Sequence, residues 1–173
     1  ADTIHVGKAY ELPWSFGGGL SWKHKNRLLI GFDYTCQLWK NSRFPQLVNE
    51  NGKQIYRVTT SALSNRQKII IGGQYIPNPD GFRFRDHVNY RFGLSYATSY
   101  YRMNGEEGPK NYSATLGIGL PIMNQYSNRS MVNLTAQYEH AATSKGNWIK
   151  EDYFRLCVGL TFNARWFNKW KFE

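Results

Sequence analysis

The chain has 173 residues and a formal net charge of +10, and no segment approaches the roughly 18 consecutive apolar residues that a membrane-spanning helix requires. This excludes a helical membrane protein. The 12 Tyr, 10 Phe, 6 Trp and 16 Gly favour β-strands and close backbone approaches over helices, which predicts an all-β protein.

Seven segments alternate large apolar residues with small or polar ones. Between residues 88 and 96, large apolar side chains occupy every even position: Val88, Tyr90, Phe92, Leu94 and Tyr96. A period of two indicates a β-strand with two different faces. In chain order, the predicted strands lie near residues 14–22, 27–39, 67–76, 87–100, 111–121, 131–140 and 152–162.

The lengths and ends of these segments are typical of outer-membrane strands. A tilted strand needs about nine to eleven residues to cross a bilayer, and aromatic residues stand near the strand ends on the apolar phase. We also predict a polar loop over 40–65 and a C-terminal tail over 163–173. The pattern therefore predicts a single all-β unit over 1–173, an antiparallel up-and-down transmembrane β-barrel of the outer-membrane type.

The two phases of each strand predict two environments. In a transmembrane barrel, apolar residues face lipid and the small or polar residues between them face the lumen. The predicted lipid-facing residues are Tyr90, Phe92, Leu94, Leu116, Ile118, Leu134, Leu156 and Val158. The lumen-facing candidates are Arg27, Asp33, Arg91, Glu139 and Arg155. Glu139 and Arg155 lie near neighbouring ends of consecutive strands, so we expect a cross-strand or diagonal ion pair.

No motif indicates catalysis, a cofactor or a metal site. The four His residues lack metal-ligand spacing, and Ser95 or Ser113 with His87 is a coincidence of residue types rather than a triad. Cys36 and Cys157 fall on opposite phases, which predicts two free thiols. The basic residues gather in turns and loops, away from the aromatic ones. This argues against nucleic-acid binding and suits the phosphates of lipid head groups and lipopolysaccharide.

Several stretches resemble the FadL/TodX family of outer-membrane transporters for long-chain fatty acids and other hydrophobic molecules. They are "ELPWSFGGGLSW", "IIIGGQYIPNP", "NYRFGLSYATSYY", "SATLGIGLPI", "MVNLTAQYEH" and "KEDYFRLCVGLTFNARWFNKWKFE", and the resemblance runs over residues 9–173. The resemblance implies a fourteen-stranded barrel with a hatch in its lumen. The seven strands predicted here would be half of that barrel. The missing N-terminal half of the barrel is then an expected partner, because an open sheet edge is not tolerated in lipid.

On this basis we expect passive transport of a hydrophobic small-molecule substrate across the outer membrane of a Gram-negative bacterium, without a cofactor or an enzymatic step. Two alternatives stay open. Relatives with the same barrel serve as membrane platforms for secretion machinery. A soluble, lipocalin-like lipid-binding barrel is the other alternative, with Ile4 and Val6 at the start of an eighth strand.

Overall fold

A computed structural model describes residues 11–50, 52–60, 63–103, 106–122, 130–143 and 150–162 of the chain. The predicted tail over 163–173 and the proposed eighth strand at Ile4 and Val6 lie outside these residues. In chain order, the strands are β1 (Ser15–His24), β2 (Leu28–Gln37), β3 (Phe44–Glu50), β4 (Lys53–Thr59), β5 (Arg66–Tyr75), β6 (Asn89–Ala97), β7 (Arg102–Met103), β8 (Glu106–Glu107), β9 (Lys110–Ile122), β10 (Ser130–Ala142) and β11 (Glu151–Thr161). Two 3-10 helices, Trp39–Asn41 and Phe84–His87, lie in the connections.

Seven of these strands form one antiparallel sheet in the order β1-β2-β5-β6-β9-β10-β11, which confirms the all-β, antiparallel prediction. The other strands form two small hairpins, β3–β4 and β7–β8. Within the described part of the chain the sheet is open, because β1 and β11 each have one strand neighbour. Closure into a transmembrane barrel is therefore not a feature of the described sheet.

The segment over 40–65, predicted as a polar loop, contains the β3–β4 hairpin instead. Leu47 pairs with Tyr56 and Val48 with Ile55, so apolar side chains meet across the two strands. Each strand has only seven residues. The alternation is too short and too often interrupted by polar residues to distinguish this hairpin from a loop.

The register of the sheet turns the alternation of each strand into two continuous faces. One cross-strand row holds Trp22, Ile30, Gly73, Phe92, Leu116, Ala136 and Leu156. The neighbouring row on the opposite side holds Ser21, Gly31, Gly72, Gly93, Thr115, Gln137 and Arg155. We call these sides the apolar face and the polar face.

The two ends of the sheet differ in how their strands are connected. At one end, called the turn end, Lys25 and Asn26 both have positive φ angles and join β1 to β2. The Arg27 N–H closes this turn on the His24 carbonyl at 2.9 Å, as in the mirror-image turns whose twist matches that of a hairpin. Residues 76–88 connect β5 to β6 at the same end.

The opposite end, called the loop end, carries the two small hairpins, and its connections pack on one another. The Trp39 and Tyr100 rings stack with 5.0 Å between centroids. Leu63 is 6% exposed and forms a β-bridge with Tyr101. The loop end is therefore ordered by its own small core.

The sheet itself is a single layer without a core. Among the described residues, the buried hydrophobic ones are Leu63, Val88, Ala97 and Ala141, and no large side chain is fully buried. No described helix is both long and apolar enough to span a membrane. The large apolar side chains of the sheet consequently lie at its surface.

Candidate functional site

The residues predicted to face lipid share the apolar face of the sheet. Two adjacent cross-strand rows contain most of them, Tyr90, Ile118, Leu134 and Val158 in one and Phe92, Leu116 and Leu156 in the other, and Leu94 lies in the next row. All are exposed, from 43% for Ile118 to 73% for Val158. A continuous apolar surface of this kind marks contact with lipid or with another protein.

Aromatic side chains border the apolar face at both ends. Trp22, Tyr75 and Tyr90 lie toward the turn end, and Tyr34, Tyr96, Tyr112 and Tyr138 lie toward the loop end. Tyr96 and Tyr112 are directly opposite each other, with ring centroids 5.1 Å apart. Two such belts are typical of strands whose ends reach the two membrane interfaces.

The polar face carries hydrogen bonds between side chains of different strands. Arg91 donates from Nε to Gln74 Oε1 at 2.9 Å and from Nη1 to Asn133 Oδ1 at 2.9 Å. The Ser95 and Ser113 hydroxyl oxygens lie 2.7 Å apart on the facing strands β6 and β9. This face therefore satisfies its polar groups laterally, along the sheet.

Glu139 and Arg155, expected to pair with each other, take other partners. Arg155 lies directly opposite Gln137 and donates to its Oε1 at 3.3 Å. Glu139 accepts from Asn111 Nδ2 at 3.3 Å on the neighbouring strand β9. The ion pair is absent between these two described residues because each side chain finds a partner directly on an adjacent strand.

The remaining lumen-facing candidates lie in different places. Asp33 is on the polar face, directly opposite Gly19, and its carboxylate covers that glycine. Arg27 is at the turn end, where its Nη2 donates to Asn78 Oδ1 at 3.2 Å. Asp33 thus lies on the polar face in the cross-strand row of Ser95, four residues from the level of Arg91, whereas Arg27 lies at the turn end.

Sequence reasoning missed a polar cluster on the apolar face at the loop end. Tyr138 Oη donates to Asp152 Oδ1 at 2.6 Å, and His140 Nδ1 lies 2.6 Å from the same oxygen. His140 and Asp152 stand directly opposite each other. The sequence did contain a signal for this cluster, because Tyr138, His140 and Asp152 share the apolar phase near the neighbouring ends of two consecutive strands. His140 and Asp152 share their cross-strand row with Tyr96 and Tyr112.

The two cysteines lie on opposite faces and are free thiols, as predicted. Cys36 shares the apolar face with Tyr34, and Cys157 stands opposite Thr135 on the polar face. Across the described ranges, no three His, Cys, Asp or Glu side chains are grouped so that they could hold a metal ion.

Comparison with known proteins connects the chain to one family. The model of a family described as BamG matches residues 2–173. No curated protein and no solved structure matches the chain.

This match contradicts the resemblance to the FadL/TodX family, because BamG is related to the BAM complex, which assembles outer-membrane proteins. The expected passive transporter is therefore wrong, and the count of fourteen strands loses its basis. The lipocalin-like alternative is not supported either. The family implies BAM-complex components as partners, in place of a hydrophobic substrate or a missing N-terminal half of the barrel.

Most of the motifs quoted for the transporter resemblance are strand segments in which small or polar residues alternate with large apolar ones. Any sheet with one apolar face and one small or polar face requires this alternation, so it does not distinguish one outer-membrane family from another. The match to a family model extends over nearly the whole sequence and is therefore the stronger evidence. The chain belongs to the BamG family and is associated with the outer membrane of Gram-negative bacteria.

Proposed function

We propose that the chain is a membrane-embedded subunit that works with the BAM complex in assembling outer-membrane proteins. The observation that carries this proposal is the exposed apolar face, which continues across all seven strands of the sheet in a member of the BamG family. In water, such a face would cause aggregation. In the outer membrane, it would contact lipid.

The proposal assigns different surroundings to the two faces. The apolar face, including Phe92 and Leu116, lies against acyl chains, and the aromatic belts lie at the two interfaces. The polar face, with Arg91 and Asp33, lies away from lipid, because a charged side chain facing lipid at mid-membrane is costly. The separation of charged and apolar residues supports this orientation.

The edges of the sheet add a further requirement. Each unpaired backbone N–H or C=O group costs several kcal/mol in hydrocarbon, so an open edge is not stable there. Within the described ranges, β1 and β11 each have one strand neighbour, so their outer edges need further strand pairing in the membrane. We include in the proposal that the sheet is part of a closed transmembrane barrel.

The proposal gives the chain a binding role rather than a catalytic one. Its polar side chains are engaged in lateral hydrogen bonds, as shown by Arg91 with Asn133 and by Ser95 with Ser113. Such bonds hold a surface in one arrangement. A subunit of this kind contributes by positioning other components and not by a chemical step.

The test is to purify the chain with an affinity tag from detergent-solubilised outer membranes of its own bacterium. We expect BAM-complex components to copurify in constant proportion to the chain, and depletion of the chain to lower the amount of folded barrel proteins. Plasmid-borne wild-type chain should restore that amount. If no BAM-complex component copurifies and barrel assembly is unchanged on depletion, the proposal is wrong.

Membrane embedding needs its own measurement. Outer membranes are washed with alkaline carbonate, which releases peripheral proteins and leaves embedded ones in the pellet. We expect the chain to stay in the pellet. Release into the supernatant would show that the apolar face is covered by protein, because lipid contact across seven strands would resist extraction.

A further inference from the structure

The connection between β5 and β6 presents an exposed aromatic side chain at the turn end of the sheet. Phe82 is 96% exposed, and Phe84, two residues along, is 47% exposed. Phe82 precedes the short helix Phe84–His87, and Phe84 is its first residue. A single exposed ring is ordinary on a protein surface, but two exposed Phe side chains that alternate with Arg83 and Arg85 form an apolar and basic patch, and such patches mark contact sites.

The backbone under Phe82 is held by short-range hydrogen bonds. The Asn78 N–H donates to the Asp86 carbonyl at 3.0 Å, and the Gly81 N–H donates to the Asn78 carbonyl at 3.1 Å. The Arg83 N–H donates to Asp86 Oδ2 at 3.2 Å. His87 Nε2 lies 2.7 Å from the Gly81 carbonyl oxygen. The connection therefore presents its exposed ring from a fixed backbone.

The adjacent β1–β2 turn supports the same connection. The Ile76 N–H donates to the Arg27 carbonyl at 2.7 Å, and the Arg27 guanidinium donates to Asn78 at 3.2 Å. The two connections thus form one surface at the turn end. Basic residues outnumber acidic ones on it, namely Lys25, Arg27, Arg83 and Arg85 against Asp80 and Asp86. Since Asp86 is also engaged within the connection, the surface suits an acidic partner.

We propose that Phe82 is a protein-docking residue that inserts into an apolar pocket bordered by Asp or Glu carboxylates on a BAM-complex component. This inference rests on the proposed function and names the surface through which it operates. Phe82 supplies the apolar anchor, and Arg83 and Arg85 beside it pair with the carboxylates. Central apolar anchors with adjacent Arg residues carry most of the binding energy at protein interfaces.

Two observations favour a protein pocket over a lipid surface. Side chains that border membranes are mainly Trp and Tyr, whose polar tips reach water, whereas Phe82 and Phe84 have no polar atom. The hydrogen-bonded backbone also matters, because a rigid presentation lowers the entropy lost on docking into a shaped pocket. A lipid surface is fluid and has no fixed pocket, so a rigid backbone would add little to the affinity for lipid.

The experiment measures binding of the full-length chain, in detergent, to BAM complex purified from a strain that lacks the chain. For Phe82→Ala we expect binding about 30-fold weaker, the size of a central interface residue. Leu47→Ala is the matched control, because Leu47 is 50% exposed on β3 at the opposite end of the molecule. We expect it to bind like the wild type. Arg85→Glu should weaken binding and reduce its dependence on salt.

Each outcome decides the inference. Equal binding by wild type and Phe82→Ala overturns the docking role of Phe82 while leaving the proposed function intact. If Phe82→Ala instead weakens flotation with phosphatidylglycerol vesicles and leaves binding to the complex unchanged, the residue contacts lipid and the inference is wrong. If the wild-type chain does not bind the complex, the proposed function fails and this contact is refuted with it. Heat-modifiable gel mobility confirms that each variant is folded.

Discussion

Arg91 on β6 donates a hydrogen bond to Asn133 on β10, and its side chain crosses the intervening strand β9 to do so. The same guanidinium donates to Gln74 on β5. Gly117 lies directly opposite Arg91, and a Cβ atom built there would be 3.5 Å from the Arg91 Cβ. A Cβ atom at Gly119 would be 3.1 Å from Asn133 Oδ1. Because Gly117 and Gly119 have no side chains, the Arg91 side chain can cross β9. Its hydrogen bonds, called the Arg91 link, thus connect β5, β6 and β10 across β9.

Replacing Arg91 by Lys should weaken the sheet although the charge is kept. One ammonium group cannot reach both Gln74 and Asn133 with the geometry of the guanidinium fork. We expect a loss of about 1 kcal/mol in the free energy of unfolding, measured by urea titration in lipid vesicles. Arg57→Lys is the control, since Arg57 forms an exposed ion pair with Glu50 at 3.6 Å and should change stability little. Equal stability of both variants would contradict the role of the Arg91 link.

Gly73 should tolerate alanine less well than its neighbour Gly72. A Cβ atom at Gly73 would lie 2.5 Å from the ring of Phe92, which is directly opposite on β6, and 3.3 Å from the Leu29 carbonyl oxygen. The ring can swing away, so we expect Gly73→Ala to cost about 1 kcal/mol. At Gly72 the nearest atom would be 3.5 Å away, and alanine should be neutral or slightly stabilising. Urea titrations that rank the two variants in the opposite order would refute this account.

A cation on the apolar face should cost far more than the same cation on the polar face. For Phe92→Arg we expect a loss of about 2–4 kcal/mol in lipid, as for Arg on the outer face of a barrel at mid-membrane. Gly73 lies directly opposite Phe92, and Gly72 is the residue before it, on the polar face and diagonal to Asp33. Gly72→Arg therefore adds the same charge at nearly the same level of the sheet. It should cost much less. Equal effects in a bilayer-folding titration would show that the apolar face does not contact lipid.

Adjacent thiols on β11 should report opposite surroundings. Cys157 is a native residue of the polar face, and Leu156, which is 70% exposed, lies on the apolar face. In outer-membrane vesicles, a water-soluble sulfonated thiol reagent should label Cys157 in a Cys36→Ser chain. It should not label Leu156→Cys in a chain that lacks both native thiols. Both sites should react after unfolding in urea. Labelling of both in folded vesicles would exclude the proposed orientation.

The two faces of the sheet could be predicted from the sequence, because alternation alone determines which side chains share a side of a strand. For this reason the sequence correctly places Tyr90, Phe92 and Leu94 on one face of β6. Contacts that depend on the register between strands could not be predicted. Arg91 with Asn133 and Tyr138 with Asp152 each require a particular alignment of neighbouring strands, which alternation within each strand does not determine. The expected pair of Glu139 and Arg155 was wrong for the same reason.

The family could not be inferred from the motifs, although the class of sheet could. Small or polar residues alternate with apolar ones along the strands of any sheet that has one apolar face, so this pattern is not specific to one family. The β3–β4 hairpin was missed because its pairs, such as Leu47 with Tyr56, are few and its strands are short. The Phe82 surface gave no periodic signal, since its exposure depends on hydrogen bonds within residues 76–88.

Neighbours in the seven-stranded sheet are also neighbours along the chain, apart from the small hairpins inserted at the loop end. Each strand can therefore close onto the one synthesised just before it, and short loops make such closures fast and inexpensive in entropy. The tight turn at Lys25 and Asn26 is well suited to begin this series from β1 and β2. The topology implies a zipper-like folding order in which a single growing edge, rather than many free strands, is exposed to aggregation at any moment.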